Sequence, residues 1–181
     1  MTAPVATQEG AQWRCVTTVR KFEGDVDAYI ERYGPEEGLR RFYAENEPVE
    51  EIRREGNLLL RVGIEAIWTL VTGGAATAYS NANARLGVGN GVTAAQDTDT
   101  DLLGASTEWK GMEAGYPIVG ALADKKVTFR SIFGPTEGNF AWEEWAVDNG
   151  AAAHKLMNRK VEALGTKSAG SWQLTVEISL S

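Results

Sequence analysis

The chain has 181 residues, 43% of them apolar and 24% charged, which suits one globular domain with a sizeable core. Its formal net charge of −7 argues against nucleic acid, whose phosphates would repel it. A single cysteine, Cys15, excludes an intrachain disulfide, and the sequence has no run of about 18 apolar residues to cross a membrane.

The first ten residues lack a basic start and an apolar signal core, so synthesis and folding in a cytoplasm are expected. Residues 1–12 are small and polar and read as an arm. Trp13 to Phe22 alternates, with Trp13, Cys15, Thr17 and Val19 on one side, and suits a strand. Residues 25–33 and 36–43 read as two short helices separated by Gly34-Pro35. Residues 45–55 are charged, with Pro48 as a breaker. A strongly apolar helix is expected over residues 57–72, capped by Asn57 and stopped by Gly73-Gly74. Its apolar positions cover so much of its girth that burial on more than one side is expected.

Beyond it, residues 84–89 read as a strand with Leu86 and Val88 on one face. Gly87 and Gly89 fall on the other, where a bulky group could approach closely. Asn90-Gly91 signals a turn. Residues 92–120 read as a long irregular segment of the kind that usually carries function. The last third is β. Val127, Phe129, Ser131 and Phe133 alternate. Trp142 and Trp145 share a face only if a bulge interrupts the strand at Glu143-Glu144. Residues 156–164 are expected to pair with 172–180, where Trp172, Leu174, Val176, Ile178 and Leu180 face one way. The fold class is therefore α+β, mainly β. It comprises an antiparallel sheet or sandwich covered by one buried apolar helix, with an extended N-terminal arm and short helices. The expected division is residues 1–54 for the arm and short helices and 55–181 for the helix-capped β domain.

Motifs for chemistry are incomplete. Asp97, Asp99 and Asp101 have the spacing of a calcium loop with Glu108 at its twelfth position. Leu102 stands where glycine is required, so a solvated acidic turn is the better reading. His154 is the only histidine, and Cys15 has no evident basic partner. Gly87 to Gly91 fails the spacing of a nucleotide loop. Glu143 and Glu144 would point to opposite faces of a strand, which disfavours paired-carboxylate chemistry. Trp109, Trp142 and Trp145 could stack on sugars, but core or subunit contacts suit them better. No catalytic residue, cofactor or metal site is expected.

Several stretches resemble a family. Glu55-Gly-Asn-Leu-Leu-Leu, Asn81-Ala-Asn-Ala-Arg-Leu-Gly-Val-Gly, Thr100-Asp-Leu, Met112-Glu-Ala-Gly-Tyr-Pro, Val127-Thr-Phe-Arg, Asn139-Phe-Ala-Trp-Glu-Glu-Trp and the ending from Leu164 to Ser181 are similar to small virion proteins of tailed bacteriophages. Their order also resembles the N-terminal domain of phage tail-collar fibre proteins. The resemblance covers about residues 55–181. It implies a structural role in the virion, assembled in the host cytoplasm, and no enzyme activity. Capsid decoration (cementing) suits a compact domain with an arm. A tail-associated role at the collar, fibre or baseplate is the alternative, and carbohydrate binding is a reading from another class. The expected partners are the major capsid protein or other virion proteins and further copies of this chain, with no nucleic acid and no membrane. Trp13, Phe22, Trp109 and Tyr116 are the expected interface residues.

Overall fold

A computed structural model describes residues 12–180. In chain order the elements are β1 (Trp13–Phe22), α1 (Val26–Tyr33), α2 (Pro35–Glu45), β2 (Glu50–Glu55), β3 (Leu58–Leu59), α3 (Arg61–Val71), β4 (Arg85–Gly89), β5 (Thr107–Gly111), β6 (Ile118–Val119), β7 (Lys126–Phe133), β8 (Ala141–Asp148), β9 (Asn158–Thr166) and β10 (Ser171–Leu180). The protein is α+β, mainly β. Two five-stranded sheets run β2-β1-β10-β7-β6 and β3-β9-β8-β4-β5, and every recorded strand pair is antiparallel.

The period-two pattern of the strands explains the main core. From the first sheet, Val19, Phe129, Phe133, Leu174 and Val176 point inward; from the second, Leu86, Val88, Trp145, Val147 and Leu164 meet them. Trp142 and Trp145 both enter this core although they stand three positions apart, because the β8–β9 register shifts between Trp142 and Glu144. That is the bulge expected at Glu143-Glu144. Both indole N–H groups are satisfied inside, Trp142 by the Gly138 carbonyl at 2.8 Å and Trp145 by Thr17 Oγ1 at 2.9 Å.

Each sheet also has a covered outer side. The α1–α2 hairpin closes the first sheet through Phe22, Val26, Phe42 and Ile132. Asp25 caps α1 by accepting from Asp27 N and Ala28 N, and Gly34, at φ 81°, joins the helices. The second sheet is covered by Leu60, Leu102, Ala146 and Leu156, which bring the loop before β5 onto it.

Four differences from the sequence reading concern geometry. First, Leu58 and Leu59 form a short strand against Arg159 and Asn158, so the apolar helix begins at Arg61 with Leu60 in the cap position. Its Gly63 sits against the chain at Leu156 and Met157, where a Cβ would come 2.6 Å from Met157 Cα. Only that side is buried; Ile64, Trp68 and Val71 are exposed. The covering layers are the α1–α2 hairpin and the loop. Second, β9 and β10 do not pair. β9 joins β8, whereas β10 lies between β1 and β7 in the other sheet. The connection crosses between sheets through Gly165 and Gly170, both at positive φ. Third, β1 sits centrally between β2 and β10, so residues 13–55 are built into the sandwich rather than set apart at residue 54. Residues 1–11 of the expected arm lie outside the described residues. Fourth, the segment 92–120 contains β5 and β6, which pair with β4 and β7.

Candidate interaction surface

Most charged side chains singled out by the sequence are bound to the protein itself. Arg159 and Glu144 are fully buried and joined at 2.6–2.7 Å. Arg159 Nη1 also meets Asp99 at 2.7 Å, and its Nη2 donates to the Thr93 carbonyl. The Glu144 carboxylate accepts from the backbone of Leu103 and Gly104. Together these contacts hold the loop between β4 and β5 against the second sheet. The acidic turn is divided in the same way: Asp97 pairs with Arg61 at 2.8 Å, Asp99 turns inward to Arg159, and Asp101 accepts from Leu102 N. Among the described residues no group of three or more His, Cys, Asp and Glu side chains is placed to hold a metal ion.

Trp109 lies on β5 opposite Gly87. A Cβ on Gly87 would come 2.3 Å from the Trp109 ring, so the close approach expected at this glycine is made by the indole. His154 stacks on the same ring with centroids 5.1 Å apart. Its Nδ1 lies 3.0 Å from the buried carboxylate of Asp148, which Arg85 approaches at 2.6 Å. This cluster ties the β8–β9 connection to β5. Cys15 is buried, and burial pushes its thiol up to about 11, which suits a core side chain rather than a nucleophile.

Tyr116 is half-buried under Arg130, whose guanidinium carbon lies 4.1 Å from the ring centroid. Arg130 in turn bonds Glu113 at 3.1 Å, and Tyr43 of α2 donates to the same carboxylate at 2.7 Å. Burial holds the Glu113 carboxyl above its ordinary range. Phe22, expected at an interface, is instead 3% exposed and packs edge-on against Phe42 at 5.1 Å. It presents no surface to a partner in this conformation, because alternation turns it toward the helical hairpin.

Trp13, one of the four expected residues, borders a sizeable apolar recess. Its indole N–H donates to Asn57 Oδ1 at 2.7 Å, and its ring lines a groove of about 460 Å³ with Ile67, Val119, Leu122, Met157 and Leu180. Val119 and Leu122 are 81% and 97% exposed. Sequence reasoning missed this groove because its walls come from β1, α3, β6, the turn after β6 and β10, which are distant in the chain. Exposed apolar surface gathered in one place marks an interaction site better than scattered apolar residues do.

Trp142 and Trp145 are fully buried, which removes them as platforms for sugar rings. No described helix is long and apolar enough to cross a membrane. A scan against protein-family models, a search of curated proteins and a search of solved structures found no match.

Proposed function

We propose that this chain is a non-enzymatic structural protein of a tailed-bacteriophage virion that decorates and cements the capsid. The ordered series of resembling stretches carries the reading. Three of them fall on or beside strands of one sandwich: Arg85 to Gly89 is β4, the Val127 stretch lies in β7, and the Asn139 stretch leads into β8. The apolar groove beside the start of β1 supports it, since a cementing protein works through protein contacts. A subunit that binds the assembled shell and not its free parts stabilises the shell by mass action.

The test is stepwise disassembly of purified virions, following this chain by mass spectrometry. Release together with capsid fragments is expected. Recovery only with purified tails would replace decoration by a collar, fibre or baseplate role. Absence from virions would end both.

A further inference from the structure

We propose that the groove and the exposed side of α3 form a two-fold interface between two copies of this chain. The helix carries an apolar ridge. Ile64, Trp68 and Val71 stand at i, i+4 and i+7, on one stripe, and Trp68 and Val71 are 61% and 69% exposed. Ile67 lies one turn before Val71 and flanks that stripe, and the same side chain lines the groove. Ridge and groove are therefore neighbours on one face, with Ile67 on their border. A two-fold rotation about that border sets each ridge opposite the other copy's groove, which is the self-complementary arrangement of an isologous contact. The groove volume of about 460 Å³ lies within the range of roughly 300–1,000 Å³ that accommodates a drug-sized ligand, ample for one indole.

One pair of opposite charges suits the same occupant. The chain carries a net −7, so two copies repel unless they meet through surfaces poor in carboxylates. The groove contributes Lys125, while Lys126 beside it is paired with Glu177 at 2.6 Å, and α3 contributes Glu65 on the flank of the ridge away from Ile67. Glu65 has a side chain 66% exposed and a surface partner in Lys155, a kind of pair that is weak and easily exchanged. Docking the ridge in the partner's groove brings Glu65 of one copy toward Lys125 of the other. Trp68 supplies the buried aromatic anchor on which such contacts depend. This pairing does not rest on the virion reading, and it applies to the isolated protein.

Sedimentation or light scattering of the purified full chain tests it. The mass should rise with concentration from 19.6 kDa to about twice that value and no further. Trp68→Glu and Leu122→Glu should each weaken dimerisation by at least about tenfold. Both positions are exposed, so folding should be unchanged by circular dichroism. Glu65→Lys and Lys125→Glu should each weaken the dimer, and the double variant should recover it. A mass fixed at 19.6 kDa at every concentration would overturn the proposal. So would an assembly larger than a dimer, or a dimer indifferent to all four substitutions.

Discussion

Arg159 places its whole guanidinium inside the protein, with Glu144, Asp99 and the Thr93 carbonyl as acceptors. Removing one partner of a buried ion pair leaves the other charge uncompensated, which costs about 3–5 kcal/mol. Arg159→Met should lower stability by that amount in urea titrations. An added Glu144→Leu should recover only part of the loss, because the carboxylate also satisfies Leu103 N and Gly104 N. None of this was legible in the sequence. Alternation places Glu143 and Glu144 on opposite faces of a strand, and nothing local announces that the second carboxylate serves a loop 40 residues away. Glu113 gives a second expectation at this scale. Burial raises its folded-state pKa above the ordinary 4.5, so the folded chain holds the proton more tightly than the unfolded chain. Its contribution to stability is then full below pH 4.5 and declines as pH rises through the raised folded value. Glu113→Gln removes that titration. Wild-type stability measured relative to the variant should therefore fall as pH climbs from about 4 to 7, by denaturation at each pH. Equal slopes for the two proteins would show that Arg130 and Tyr43 offset the burial.

At the scale of elements, α1 and α2 were the most legible helices. Asp25, Gly34 and Pro35 punctuate them, and local signals of that kind survive folding. The strands of the last third were legible for the same reason, and the tryptophan spacing even disclosed the bulge. Partnership was not. The alternation in β10 suits pairing with β9 as well as with β1 and β7, and only the geometry at Gly165 and Gly170 sends the two strands to different sheets. In α3 the apolar residues exceed what the core can take, so composition suggested a buried helix where one side lies open. Gly38 shows how contact overrides propensity. Alanine is the better helix former by about 1 kcal/mol. A Cβ at position 38, however, would lie 2.6 Å from the Tyr29 carbonyl oxygen and 2.7 Å from Ile30 Cα, both backbone atoms that cannot turn aside. Forcing the two helices apart costs typically 1–3 kcal/mol, so Gly38→Ala should lower the melting temperature. Gly111→Ala, where nothing lies within 4 Å, is the control and should leave it within experimental error.

The whole molecule is organised around β1. The strand pairs along its full length with β10, from Trp13 opposite Leu180 to Phe22 opposite Ser171, and carries β2 on its other edge. It also supplies Cys15 and Val19 to the main core and Phe22 to the core under the helical hairpin. A chain cut at residue 54 would lose two of the five strands of the first sheet and both helices that cover it. Ile132, Leu174 and Val176 would lose their cover on one side, and β10 would become an open edge with unpaired N–H and C=O groups. The fragment 55–181 is therefore expected to fail as an independent domain. Expressed alone it should give a poorly dispersed amide spectrum or aggregate. The full chain should unfold in one transition that coincides by tryptophan fluorescence and by circular dichroism. Well-dispersed signals from the fragment, or two separated transitions in the full chain, would mean that the contacts of β1 with β10 are not what joins the sandwich to its N-terminal third.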